Sequence, residues 1–132
     1  MTIHHVCIQT AVYEASKRFY TELLGFKVVS ETQNFHGRAF NTWLQAPDGF
    51  RIELQTAKAE QPLSPCEPNA AGIAHLCFVE KNLDACVETM LHAGCGFRRK
   101  HGEVIYTVLG GRLAKVIAPE GTVIELRESA EL

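Results

Sequence analysis

The feature that most constrains this chain is an internal repeat. Residues 46–55 align without gaps on residues 118–127, and the two segments read APDGFRIELQ and APEGTVIELR. Upstream, IHHVCI at 3–8 aligns on IAHLCF at 73–78. The length of 132 residues suits one domain of roughly 100 to 200 residues. The repeat therefore predicts a single domain, residues 1–132, built from two similar modules.

Both copies predict the same order of elements. Apolar and β-branched runs predict strands, and apolar stripes at helical spacing that end in Gly25 and Gly94 predict one helix in each copy. The predicted strands are 3–9, 26–31, 39–45 and 51–55 in the first copy, and 74–79, 97–100, 112–117 and 123–128 in the second; the predicted helices are 13–24 and 83–93. The last two strands of each copy flank a Pro-acid-Gly turn.

The predicted fold class is therefore α+β, with two tandem βαβββ modules at about 1–56 and 72–132. Residues 57–71 contain three prolines, which disfavour a helix or a central strand, and are predicted to be the linker.

Charge and composition exclude several classes of function. The formal net charge of −2 argues against a nucleic-acid partner, and no apolar run approaches the ~20 residues that span a bilayer. The N-terminus lacks the pattern of a signal peptide, so a cytoplasmic location without a membrane partner is expected. The five cysteines show no CxxC pair, and we expect most of them to be reduced and buried.

Four residues are unusual for strands: His5, Glu53, His75 and Glu125. A single histidine in a strand is more often a hydrogen-bonded core residue than a ligand, and a single glutamate is more often solvated. Each module, however, supplies one of each at matching positions. Two pseudo-symmetric modules can bring these four side chains together as the ligands of one divalent ion. Two imidazoles and two carboxylates suit Ni, Co, Zn, Mn or Fe better than Ca or Mg.

The motifs resemble those of the vicinal oxygen chelate superfamily, which includes glyoxalase I. The resemblance is carried by HVCI at 5–8, FYTELLGF at 19–26 and the paired Pro-acid-Gly and Ile-Glu-Leu segments, and it covers nearly the whole chain. It implies paired βαβββ modules that form a metal-centred cup. Fold alone does not choose among the activities of this superfamily.

The His-Glu-His-Glu set is similar to the metal ligands of glyoxalase I (lactoylglutathione lyase). That resemblance implies an isomerase or lyase that converts the hemithioacetal of a 2-oxoaldehyde and a thiol to a 2-hydroxyacyl thioester through an enediolate. It implies Glu125 as the base, with Glu53 as its possible counterpart. The alternatives are another metal enzyme of the superfamily (an epimerase, a thiol transferase or an extradiol dioxygenase) or a non-catalytic protein that binds a small molecule.

The chain departs from the family pattern at Gln9 and Ala57, where many glutathione-dependent members have Arg and Asn. The identity of the thiol that forms the substrate adduct is therefore left open. Strand alternation predicts that His4 faces away from His5, and Trp43 is expected to pack in the core. The basic run 98–100 is interpreted as a solvated turn or as a site for an anionic tail. A homodimer is expected, with the metal site inside one chain or shared between two.

Overall fold

The fold is that of a computed structural model, which describes residues 1–131. It is α+β, as predicted, and the chain divides into two compact units, Met1–Pro65 and Cys66–Leu132. The first unit contains β1 Val6–Thr10, α1 Tyr13–Arg18 with a π-helical continuation Phe19–Leu23, β2 Lys27–Phe35, β3 Arg38–Gln45 and β4 Arg51–Thr56. The second contains β5 Leu76–Val79, α2 Leu83–His92, β6 Gly96–Arg98, β7 Ile105–Val108, β8 Gly111–Ile117 and β9 Val123–Arg127.

The first unit is one four-stranded sheet in the order β1-β4-β3-β2, with β1 parallel to β4. Tyr20, Leu44, Ile52 and Leu54 are fully buried and form the centre of its core. Tyr13 at the start of α1 stacks on Phe40 of β3, with ring centroids 4.3 Å apart. The helix is thereby fixed on the sheet.

The second unit repeats this plan in a five-stranded sheet. Its order is β5-β9-β8-β6, β7 also pairs with β8, and β5 is parallel to β9. Leu83 and Met90 on one face of α2 are fully buried, as are Ile124 and Leu126 of β9. In each unit the strand that carries the Ile-Glu-Leu segment lies inside the sheet, between the first strand and its hairpin partner.

The predicted turns and caps are confirmed. Gly49 donates its N–H to Ala46 at 3.0 Å, and Gly121 donates to Ala118 at 2.8 Å, which closes the same turn in both units. Both glycines have positive φ, at +93° and +99°. At the end of α2, Gly94 donates to Leu91 and Cys95 to Met90, the hydrogen-bond pair of a Schellman cap.

The strand predictions were wrong in two places. The second unit has an additional strand, β7, and β2 continues past Glu31 to Phe35. Both errors concern hairpins whose two turn residues have positive φ: His36 and Gly37 join β2 to β3, and Leu109 and Gly110 join β7 to β8. Such turns usually carry Asn-Gly or Asp-Gly. The His-Gly and Leu-Gly sequences found here do not predict a hairpin turn, so both hairpins were missed.

The first strand of each unit also starts later than predicted. β1 begins at Val6 and β5 at Leu76, so His5 and His75 each lie directly before a strand. Within residues 1–131, no helix is both long and apolar enough to cross a membrane.

Candidate functional site

The first unit brings His5 and Glu53 together. Glu53 lies on β4, in register with Cys7 of β1 on one side and Trp43 of β3 on the other. His5 Nε2 is 3.4 Å from Glu53 Oε2, and the side chains are 33% and 15% exposed. The parallel β1–β4 pairing therefore places an imidazole and a carboxylate side by side at the start of β1.

His4 and Trp43 complete the surroundings of His5. The Nδ1 atoms of His4 and His5 are 2.9 Å apart, and the His5 ring meets Trp43 edge-on with centroids 4.9 Å apart. His4 also meets Trp43, at 6.0 Å. When His5 Nδ1 donates to His4, its Nε2 keeps a lone pair beside Glu53, which is the arrangement of a metal-binding histidine held by a second residue.

The second unit brings His75 and Glu125 together in the same way. Glu125 on β9 is in register with Cys77 of β5 and Lys115 of β8. His75 Nε2 is 3.4 Å from Glu125 Oε2, and the Glu125 side chain is only 8% exposed. The two glutamates thus occupy equivalent strands, and each has a histidine at the same distance.

A cysteine lies beside each glutamate. Cys77 Sγ donates to Glu125 Oε1 at 3.5 Å, and Cys7 is in register with Glu53 across the β1–β4 pairing. Partial burial of each thiol, together with the adjacent carboxylate, raises the pKa of Cys7 and of Cys77 to about 11. Both thiols are therefore protonated at neutral pH, and Cys77 serves as a donor.

The two pairs differ in their charged neighbours. Lys115 Nζ is 3.3 Å from Glu125 Oε2, and Arg127 Nη1 is 3.5 Å from Glu125 Oε1. Burial raises the pKa of Glu125, but Lys115, Cys77 and His75 outweigh it, and the pKa lies below its ordinary value. In the first unit, the position of Lys115 is taken by Trp43.

Position 9 has an arginine beside it although its own residue is glutamine. Arg38 Nη1 donates to Gln9 Oε1 at 3.1 Å and also to the carbonyl of Thr56. Arg38 is half-buried at the start of β3. The strand pairing thus brings a guanidinium group beside position 9, where many glutathione-dependent members of the family have an arginine.

The four predicted ligands are therefore found as two pairs, one in each unit. Among residues 1–131, no group of three or more histidine, cysteine, aspartate or glutamate side chains is arranged to hold a metal ion. A single site made of all four residues stays a prediction. The sequence did single out the two residues of each pair, because the repeat marks them.

Other expectations about this region were wrong. His4 does not turn away from His5, because both precede β1 and strand alternation does not apply to them. Trp43 is half-buried against the two histidines rather than packed in the core. The free cysteines are exposed (Cys7, Cys66 and Cys77) or half-buried (Cys86 and Cys95). Lys115 and Arg127 were missed, because only strand register shows that they meet Glu125.

Comparison with known proteins identifies the family. The model of the Glyoxalase/Bleomycin resistance protein/Dioxygenase superfamily matches residues 2–126. The chain belongs to this superfamily. Among the superfamily's solved structures, a glyoxalase family protein from Enterococcus faecalis is 26% identical, with a TM-score of 0.77 over 96% of this chain and 97% of that one.

Two further comparisons extend this result. The protein YwkD of Bacillus subtilis (strain 168), described as uncharacterized, is 34% identical over 93 residues, which are 70% of this chain and 72% of YwkD. The trypanothione-dependent glyoxalase I of Leishmania major has a TM-score of 0.74 at 20% identity, over 96% of this chain and 86% of that one. At that identity the likeness shows the glyoxalase fold, which confirms the predicted fold class.

Proposed function

We propose that this superfamily member is a metal-dependent isomerase or lyase of the glyoxalase I type. The observation that carries the proposal is the recurrence of one histidine–glutamate pair, with the same atoms 3.4 Å apart, in both units. The repeat would copy a structural ion pair as readily as a pair of ligands, so the feature that favours ligands is the exposure of the imidazoles, at 33% and 34%, which leaves them within reach of an ion. A pair of metal ligands in each module accounts for the recurrence of the pair and for the exposure of its imidazole.

The donor atoms fit a transition-metal ion. Nitrogen and carboxylate ligands lie about 2.0–2.2 Å from zinc, so two of them at a tetrahedral angle are roughly 3.3–3.6 Å apart. The separation of 3.4 Å in each pair agrees with that value. His5, Glu53, His75 and Glu125 would then hold one divalent ion, with Ni, Co, Zn, Mn and Fe as the candidates.

Proton transfer is assigned to the glutamates. When bound, the ion would supply a Lewis acid for two adjacent substrate oxygens. Glu125, or Glu53 as its counterpart, removes the proton from the carbon next to the carbonyl and returns it to the neighbouring carbon. Glu125 is ionised at neutral pH, which is the form that accepts a proton, and its lowered pKa makes it a weaker base than an ordinary glutamate.

The proposed substrate is a small 2-oxo compound or its adduct with a thiol. Gln9 lacks the charge of the arginine, and Ala57 lacks the amide of the asparagine, that glutathione-dependent members have at these positions. Arg38, beside Gln9, can bind a carboxylate. The thiol is therefore to be found by assay. A homodimer is proposed for the assembly, because paired modules can exchange between two chains.

The second candidate is a non-catalytic protein that binds a small molecule. The observation in its favour is that Lys115 and Arg127 already neutralise Glu125, so this carboxylate is stabilised without an ion. Metal content decides between the two candidates.

The deciding experiment is metal analysis by mass spectrometry after reconstitution, coupled to an assay of methylglyoxal with several thiols. Wild type is expected to bind about one ion per site and to turn over at least one adduct. His5→Ala should lose the ion, and Glu125→Gln should lose turnover by a factor of about 100 or more, the range for general acid–base catalysis. Glu128→Gln is the matched control, since Glu128 pairs with Arg112 outside the site. A wild-type protein that takes up no ion would refute the proposal.

A further inference from the structure

The inference concerns the cations beside Glu125. Lys115 lies on β8 directly opposite Glu125, and Arg127 lies two residues after Glu125 on the same face of β9. The three side chains are largely shielded, with exposures of 24% for Lys115, 17% for Arg127 and 8% for Glu125. They form a cluster in the second unit that has no equivalent at Glu53, where the register partner is Trp43.

The cluster carries an excess positive charge. One carboxylate faces two cations, and the other neighbours of Glu125 are the Cys77 thiol and the His75 imidazole. One cation suffices to neutralise one carboxylate. The second leaves a partly shielded positive charge that an anion can neutralise.

Donor groups remain available for that anion. An ammonium has three donors, and in the part of the chain that the structure describes, Lys115 Nζ has no hydrogen-bond or ion-pair partner besides Glu125. Arg127 directs only Nη1 to the carboxylate.

Gly111 lies close to Arg127. A Cβ added at residue 111 would lie 2.5 Å from Arg127 Nη2, so the glycine leaves room for this guanidinium against β8. The guanidinium is the end of a flexible side chain, so Gly111 gives it space beside Glu125 without fixing it there.

We propose that Lys115 and Arg127 bind a carboxylate of the substrate and so select small 2-oxo or 2-hydroxy acids, or adducts that carry such an acid, over neutral analogues. This inference rests on the proposed function only in taking the surroundings of Glu125 as the substrate site. Lys115 and Arg127 act as specificity-determining residues that hold the anionic oxygen.

The test uses the full chain after chelator treatment, so that a metal ion does not contribute to binding. Titration calorimetry compares pyruvate with its neutral isostere pyruvamide. Wild type is expected to bind pyruvate about tenfold more tightly than the amide, and the preference should fall as salt concentration rises. Equal affinity for the two compounds would overturn the inference.

Variants assign the preference to the cluster. Lys115→Met and Arg127→Met should each reduce the preference to about twofold or less, and Lys115→Arg should retain most of it. The matched control is Arg112→Gln, which removes a cation from the opposite face of β8, where Arg112 pairs with Asp84 and Glu128. A preference that survives Lys115→Met overturns the inference, and the salt titration of wild type still tests it if a variant does not fold.

The two proposals fail separately. A carboxylate preference that depends on Lys115, in a protein that takes up no metal ion, leaves the inference standing and removes the glyoxalase-type function. Metal uptake and turnover of neutral hemithioacetals, without a carboxylate preference, would support the glyoxalase-type function and refute the carboxylate-binding role of Lys115 and Arg127.

Discussion

At the scale of single residues, the two Cys–Glu contacts show how strand register creates a site. Cys7 and Cys77 follow their histidines by two positions, and the parallel pairing places each beside a glutamate. The sequence analysis did not place either cysteine beside a carboxylate. The partner across the sheet depends on which strands pair, and no local pattern gives that information.

The raised thiol pKa leads to a test by alkylation. Replacing Glu53 with Gln removes the carboxylate that helps to raise the pKa of Cys7 from its ordinary value to about 11. The thiolate fraction at pH 8 should increase up to about tenfold for each unit by which the pKa falls, and iodoacetamide should react with Cys7 correspondingly faster. Peptide mass spectrometry over a time course measures the rate.

Cys95 is the internal control for that experiment. Burial alone raises the pKa of its thiol, so its alkylation rate should be the same in both proteins. A Cys7 rate that does not change would show that burial alone protects the thiol. Faster alkylation of Cys7 and Cys95 together would indicate unfolding instead.

At the scale of elements, the hairpin turns explain why the strand prediction was incomplete. Leu109 has φ of +49° and is fully exposed between β7 and β8. A left-handed conformation costs a leucine roughly 1–2 kcal/mol, and the paired strands hold it there. The tertiary pairing of β7 with β8 thus overrides the local preference of the residue.

The same turn provides a stability test. Leu109→Asn should raise the free energy of unfolding by about 0.5–1 kcal/mol, because Asn tolerates positive φ and Asn-Gly is favoured in this turn. Urea denaturation monitored by circular dichroism measures the change. Leu109→Val is the matched control and should destabilise the protein, since a β-branched residue is least tolerant of this conformation. Equal stability of the two variants would contradict the geometry of the turn.

At the scale of the whole molecule, the two units carry equivalent halves of the proposed metal site. Each unit has its own sheet, its own helix and one histidine–glutamate pair. If one ion uses both pairs, a ligand lost from either unit should have the same consequence.

Thermal unfolding tests this equivalence. Metal ion at about 100 times its Kd should stabilise wild type by roughly 2.7 kcal/mol, visible as a rise in Tm. His5→Ala and His75→Ala should each abolish that rise, and the double variant should add nothing further. His92→Ala, on α2 outside both pairs, is the control and should keep the effect. Half the metal content in each single variant would instead indicate one independent ion per unit.

The amino-acid sequence by itself determined the repeated plan of this protein. Periodicity placed both helices, and the Pro-acid-Gly turns were found because proline, glycine and a short acidic side chain act locally. The repeat also marked His5, Glu53, His75 and Glu125, since chemistry that recurs at equivalent positions is visible in one dimension. Superfamily membership followed from the same segments.

Only the tertiary structure decided what surrounds those four residues. Trp43 beside His5, and Lys115 with Arg127 beside Glu125, come from strands that are distant in sequence and meet through sheet register. The two units share their backbone plan and differ in these cross-strand neighbours. Side-chain contacts between paired strands depend on long-range pairing, and this is why the charge of the site could not be predicted from the order of residues.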